Sequence, residues 1–292
     1  MSARASVGTL AATAFALVAF ASNSLLCRLA LGSGSIDASS FTTLRIASGA
    51  ALLAPLAFSR RGGHAVKTRG LPWISAGFLF LYAAAFSFAY VSLSAGTGAL
   101  LLFGAVQAIM IAWAIRSGEG FGLFEGVGLV AAIAGLVVLV APGVRAPSLA
   151  GSALMLVAGG AWGCYSLRGR NGDDPLAATS RNFLAAVPLT VALSAASLGA
   201  LHLSTRGVMV AVASGAITSG LGYVVWYQAL RGLTSIRAAI VQLAVPALAA
   251  LGGVAFLGER LTLRLVVSGI LILGGVALAT VGREREGPRD VE

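Results

Sequence analysis

Charge is what this sequence has least of. Only 10% of its 292 residues are charged, where a soluble domain carries about 25%. With 58% hydrophobic residues and a mean hydropathy of +0.93, that shortfall excludes an ordinary water-soluble domain. The few charges are lopsided, 20 Lys and Arg against 10 Asp and Glu, giving a net charge of +10. Such a balance can mark a nucleic-acid partner. Here the basic residues sit in short links between apolar runs, where they act as topology signals. Lysine occurs once, at Lys67 in a link without surrounding glycines. That excludes a phosphate-cradling loop and an ATP-driven pump on this chain. The two histidines, His64 and His202, lie in or near links, and no Gly-x-Ser-x-Gly elbow occurs. An intramembrane serine hydrolase needs both groups at membrane depth, so an enzyme is not expected. Cys27 and Cys164 lie inside apolar runs. Their spacing suits neither a disulfide framework nor a metal site. No metal and no cofactor are expected.

What the sequence has is length of apolar run. A bilayer core takes about 20 apolar residues per helix. By that criterion the chain reads as an all-α membrane protein with about ten transmembrane helices: 7–29, 38–58, 71–93, 96–115, 123–141, 149–168, 176–200, 207–230, 235–257 and 262–281. Glycine is abundant at 38, which suits close helix packing in lipid. The longest polar link is Ser59 to Gly70, and the charged tail from Arg283 to Glu292 is expected to be disordered.

The chain also repeats itself. Ala238 to Val281 holds two apolar runs around a polar hinge, Gly258-Glu259-Arg260. Ala99 to Val140 holds a weaker copy around Gly118-Glu119-Gly120. Glu119 and Glu259 lie 140 positions apart, as do Gly135 and Gly275. Arg45 and Arg181 sit near the starts of spans two and seven, and Tyr90 and Tyr227 near the ends of spans three and eight. Two five-span units follow, 1–145 and 146–282, with the tail at 283–292. Five is odd, so the second unit enters the membrane inverted, as in alternating-access carriers. Twelve basic residues fall on the side of the N-terminus and five on the other, which puts both termini in the cytoplasm. The first run, with Arg4 before it and Ala19-Phe20-Ala21 before Ser22, also resembles a signal peptide. Its removal would leave one repeat short of a span, so it is expected to remain as span one.

Two tandem five-span units, each closing on a Pro- or Gln-bearing span, a Gly-Glu hinge and a Gly-ridged span, resemble the EamA-type permeases of the drug/metabolite transporter superfamily. Pro246 and Gly258-Glu259-Arg260 match that pattern; Val106-Gln107 and Gly118-Glu119-Gly120 depart from it. The layout and the aromatic-rich middle spans are most similar to the YddG-type amino-acid exporters. The resemblance implies export of small metabolites across the inner membrane, with aromatic amino acids as leading substrates and threonine or methionine beside them. Other solutes of the superfamily, such as nucleobases or toxic organic compounds, are the alternative. A lipid-handling role is a more distant one.

Several residues are candidates to line a substrate pocket. Phe78, Tyr82, Phe86 and Tyr90 recur every four residues along one face of span three. Span six offers Trp162 and Tyr165 beside Gly159, Gly160 and Gly163; span eight offers Tyr223, Trp226 and Tyr227. Asn23, Gln107 and Gln242 carry amides that are costly in hydrocarbon unless paired, so they should face inward. The plain alternative is interhelical hydrogen bonding or packing without substrate. Pro246, Gly252 and Gly253 are candidate hinge or gating residues in span nine. Arg45 and Arg181, nearer span ends, are expected to snorkel or clamp loops. Spans one to four and six to nine should line the pocket, leaving five and ten for outer packing or a dimer contact. The partners expected are an amino acid and the bilayer, with the chain a monomer or homodimer. All ten acidic residues fall in links, hinges or the tail. Without a mid-membrane carboxylate to relay protons, transport should run down the substrate gradient.

Overall fold

The computed structural model describes residues 7–60, 72–116, 123–141, 146–169, 174–231, 233 and 241–286. Nearly all of them are helical, as the bilayer demands, because hydrocarbon offers no partner to an open backbone group. The helices are α1 (Val7–Gly32), α2 (Ala38–Arg60), α3 (Pro72–Tyr90), α4 (Ala95–Arg116), α5 (Leu123–Val140), α6 (Leu149–Gly169) and α7 (Pro175–Ala196). They continue with α8 (Thr205–Leu230), α9 (Ala244–Leu257) and α10 (Leu263–Glu286). Six of these are long and apolar enough to cross a membrane: α1, α2, α3, α6, α7 and α8. Shorter apolar stretches lie in α4, α5, α9 and α10.

Burial runs opposite to that of a soluble protein. Phe256 is 80% exposed and Leu263 79%, whereas Arg45 and Ser214 are fully buried. A surface that presents large apolar groups around a polar interior is built for lipid.

The packing obeys an exchange rule. α2 packs on α7, and α5 on α10. α1 packs on α8 and α9, while α6 packs on α3 and α4. α2 packs on α8, while α7 packs on α3. Replacing each helix by the one five places along maps these neighbours onto themselves. Glycine sets the tightest of these approaches. Gly135 lies against Leu271 and Ile272, and Gly275 against the Gly128 carbonyl and Ala132, so α5 and α10 meet almost backbone to backbone.

Contacts among the links 33–37, 91–94, 197–204 and 258–262 and the helix ends beside them gather these links on one face. This face is tied together. Ile36 bridges to Leu203, and the Ser204 N–H donates to the Ser35 carbonyl (3.0 Å). Asp37 caps α2 by accepting from the Ser40 N–H (2.8 Å) and the Ser39 hydroxyl (2.6 Å), and also accepts from the His202 N–H (3.1 Å). Burial works to raise the Asp37 pKa, but these hydrogen bonds outweigh it and hold the carboxyl below its ordinary value. α9 ends on Gly258, whose φ of +65° lies in the left-handed region that favours glycine.

One boundary differs from the expectation. α10 runs on to Glu286, so Arg283 to Glu286 are helical rather than tail. Arg and Glu are good helix formers, and the helix can outlast the apolar stretch in water. The hinge Gly118-Glu119-Gly120, most of the Ser59–Gly70 link, and 287–292 lie outside the described residues.

Candidate binding pocket

α8 carries the feature that builds the site. Its middle, Ser214–Leu221, is a π-helical segment, a widening that recurs at functional sites. The sequence there is Ser-Gly-Ala-Ile-Thr-Ser-Gly-Leu. Its glycines let α8 settle onto α2: a Cβ on Gly215 would strike the Arg45 carbonyl and the Ser48 hydroxyl. Its hydroxyls turn inward and meet Asn23 of α1. The Asn23 Oδ1 accepts from Ser214 Oγ (2.7 Å), Thr218 Oγ1 (3.1 Å) and Ser219 Oγ (3.5 Å). The Asn23 Nδ2 donates to the Tyr82 hydroxyl (3.4 Å).

Arg45 stands at the centre of this network and corrects the sequence expectation. It does not snorkel; it is fully buried. Its Nε donates to Ser219 Oγ (2.9 Å), and its Nη2 to the hydroxyls of Tyr82 (2.8 Å) and Tyr223 (3.0 Å). The guanidinium also lies 5.1 Å from the Tyr82 ring centroid and 5.0 Å from that of Phe86. Burying an unpaired ion costs several kcal/mol. Hydrogen bonds to a charged group return about 1.5–3 kcal/mol each, and a desolvated ring face about 2. Dipoles and rings thus make the cation tolerable without neutralising it. The reason it reaches inward is α8: the small residues at 214, 215, 219 and 220 leave space that a phenylalanine-rich neighbour would fill. Arg181 is half-buried, closer to the expected behaviour.

Beside this network lies a small hollow of about 10 Å³, room for about one water in this conformation, lined from α1 by Phe20, Asn23 and Ser24, and from α3 by Tyr82 and Phe86. Leu102 and Phe103 of α4, Trp162 of α6 and Tyr223 of α8 complete the wall. Trp162 spans it, with ring centroids 5.0 Å from Tyr82 and 4.6 Å from Tyr223. The aromatic contacts continue in both directions. Tyr82 meets Phe86 (5.3 Å), which meets Tyr90 (4.7 Å) towards the tied face. Trp162 meets Tyr165 (5.5 Å), which meets Tyr227 (6.4 Å) towards the opposite face. One file of rings therefore runs along the protein's axis through the hollow.

Five expected pocket residues, Asn23, Tyr82, Phe86, Trp162 and Tyr223, line the hollow together. Tyr165 and Tyr227 are buried beyond it in the file. The Tyr165 hydroxyl accepts from Asn182 Nδ2 (3.2 Å). Gln107 and Gln242 are buried, both 2% exposed, but outside the lining. Phe20, Ser24, Leu102, Phe103 and the Arg45 network were missed. A serine- and glycine-rich stretch inside an apolar span, together with an arginine in another, was the available signal. Among the hinge candidates, Pro246 lies in the first turn of α9, just after the helix breaks at Leu243, as proline requires of the carbonyl before it. Gly252 packs on Leu25, and Gly253 on Glu259 and Ala95, so both serve close approach.

The tied face closes over the file at a charged clasp. Arg28 Nε lies 3.3 Å from Glu259 Oε1, and Arg28 Nη1 donates to the Tyr90 and Val91 carbonyls, both at 3.3 Å. Both Glu259 oxygens accept from the Ala95 N–H at 3.0 Å. Ala95 opens α4, so the carboxylate also meets the positive end of that helix. The clasp joins α1, α3, α4 and the α9–α10 hinge. On the other face Arg168 Nε donates to Ser75 Oγ (3.2 Å).

Comparison with known proteins follows this geometry. The profile of the EamA-like transporter family matches residues 149–281. An uncharacterized protein of Pseudomonas aeruginosa is 52% identical over 275 residues, 94% of this chain and 95% of that protein. An uncharacterized transporter of Archaeoglobus fulgidus is 30% identical over 222 residues, 73% of this chain and 79% of that one. A solved crystal structure aligns with a TM-score of 0.68 at 20% identity, covering 93% of this chain and 98% of its own. At that identity the likeness concerns the fold alone.

Proposed function

The chain belongs to the EamA-like transporter family, and we propose that it exports aromatic and other neutral amino acids across the cell's inner membrane. The observation that carries this reading is the small central hollow with ring faces on Phe86, Trp162 and Tyr223 and polar groups on Asn23, Ser24 and Tyr82. Rings hold an apolar or aromatic side chain by stacking. Hydroxyl and amide dipoles hold the polar backbone of the same molecule.

The mechanism is alternating access by two inverted five-helix repeats, 1–145 and 146–282. Its support is the exchange rule in the packing, which pairs α1 with α6 and so on through α5 with α10. The clasped face is the shut one in this conformation, and substrate enters from the face that carries the termini. Basic residues crowd that second face, which supports a cytoplasmic position for it. Trp162 swings or slides with α6 to admit the ligand, since its ring now bridges the hollow. No carboxylate lines the hollow, in keeping with carriage down the substrate gradient. A second reading, carriage of other planar solutes such as nucleobases, draws on the same ring file. Purified protein in proteoliposomes should take up labelled phenylalanine, and Tyr82→Ala and Trp162→Ala should abolish uptake. Uptake of nucleobases instead, unchanged by phenylalanine in excess, would replace the amino-acid reading.

A further inference from the structure

Arg45 has more donor capacity than its neighbours use. Its side chain is fully buried, and its Nη1 has no hydrogen-bond partner among the described residues. The described carboxylates that have assigned contacts, Asp37 and Glu259, are engaged at the ends of helices. Asp174 likewise caps α7 through the Ala177 N–H. None of them meets Arg45. The cation thus sits in the protein's interior with rings and dipoles around it and no counter-charge among the described side chains.

The Tyr82 hydroxyl extends this surplus into the hollow. Three donors converge on its oxygen: Arg45 Nη2 at 2.8 Å, Tyr223 Oη at 3.2 Å and Asn23 Nδ2 at 3.4 Å. A phenol oxygen has two lone pairs, which the two shorter contacts, from Arg45 and Tyr223, already fill. Its own hydrogen is left to donate, and Tyr82 lines the hollow. A hydroxyl that accepts from a cation is a stronger donor in turn.

We propose that Arg45 and the Tyr82 hydroxyl, held by Tyr223, form an anion subsite that takes the carboxylate of the transported molecule. This rests on the reading of the chain as an amino-acid carrier and deepens it by naming the groups that hold the substrate's carboxylate. The carboxylate accepts from the Tyr82 hydroxyl and neutralises Arg45 from across the wall. The substrate's ring lies against Phe86 and Trp162. The pocket binds the anion more tightly than any neutral isostere, because only the anion supplies the missing charge.

The test uses the full chain in detergent and three ligands that share a phenyl ring: L-phenylalanine, 3-phenylpropionate and phenethylamine. Binding is read by calorimetry. Both carboxylates should bind, and phenethylamine should bind at least about tenfold more weakly, the worth of a charge-assisted hydrogen bond. Arg45→Gln should lower the affinity for 3-phenylpropionate by about tenfold or more and leave phenethylamine unchanged. Tyr82→Phe, which keeps the buried cation, should act in the same direction if Arg45→Gln does not fold. Binding of 3-phenylpropionate without phenylalanine would support the subsite and sink the amino-acid reading. Equal binding of phenylalanine and phenethylamine would sink the subsite and leave the amino-acid reading standing. Failure of all three ligands to bind the unaltered protein would overturn both.

Discussion

Arg45 and Arg181 stand at matching places in α2 and α7, eight and seven residues after the capping residues Asp37 and Asp174. One is fully buried in the central network; the other is half-buried. The difference comes from the helix each one faces. α2 packs on α8, whose π-helical segment offers Ser219 and the small residues Ser214, Gly215 and Gly220. α7 packs on α3, which at the matching depth offers Phe78, Leu79, Phe80 and Leu81. A packing order that maps onto itself five helices along thus surrounds a one-sided centre.

The largest expected effect breaks that comparison at the arginines. Removing one member of a buried hydrogen-bonded charge network costs about 2–5 kcal/mol. Arg45→Gln should therefore lower phenylalanine transport in proteoliposomes about 100-fold, and Arg181→Gln less than about threefold, the scale of an ordinary surface change. Equal losses would mean that the two positions remain equivalent. The next effect lies at two glycines 138 positions apart. A Cβ on Gly215 meets the Arg45 backbone, whereas Gly77 in α3 has open space around it. Gly215→Ala should cost about 1–3 kcal/mol in thermal unfolding and Gly77→Ala no more than about 0.5.

A smaller effect is expected at the clasp. Arg28 and Arg168, also 140 positions apart, meet a carboxylate and a hydroxyl respectively. Glu259→Gln should weaken closure by about 1 kcal/mol, and Arg168→Gln by less. The readout is labelling of an introduced Ser24→Cys by an impermeant maleimide from the clasped face, in a Cys27→Ala, Cys164→Ala background. No change in rate with Glu259→Gln would show that the clasp does not hold the face shut.

The smallest effect concerns the two caps. Asp37→Ala and Asp174→Ala should each cost about 1 kcal/mol, with Asp37 the larger because it also accepts from Ser39 and His202. The Asp37 pKa is lowered in the folded protein. Its contribution is therefore complete above the unfolded-state value, about 3.9, and is lost as pH falls through the lower folded value. Asp37→Asn should flatten the stability profile in that acid range and nowhere else.

The sequence made the helices legible because hydrocarbon leaves the chain so few choices. Where described, every span was placed within a few residues; the start of span nine lies outside the described residues. That Tyr82, Phe86, Trp162, Tyr223 and Asn23 face the central hollow was legible, because rings and an amide at mid-span have to face something. Arg45 was not. Counted along α2 it lies roughly 10 Å from the helix start, a depth from which a long side chain can reach water. What decides its direction is the space that α8 leaves open. That space depends on a π-helical turn and on which helix packs against α2, and neither is written in the local sequence. Gln107 and Gln242 show the converse: an amide inside a span predicts burial, yet both lie outside the lining.

The central claim is a carrier whose ring-lined hollow holds an amino acid beside Arg45. Counterflow tests it most directly: proteoliposomes preloaded with unlabelled phenylalanine are given a trace of labelled phenylalanine outside. The unaltered protein should drive transient accumulation above equilibrium, and Arg45→Gln and Trp162→Ala should not. Counterflow by the unaltered protein no greater than in protein-free liposomes would contradict the account.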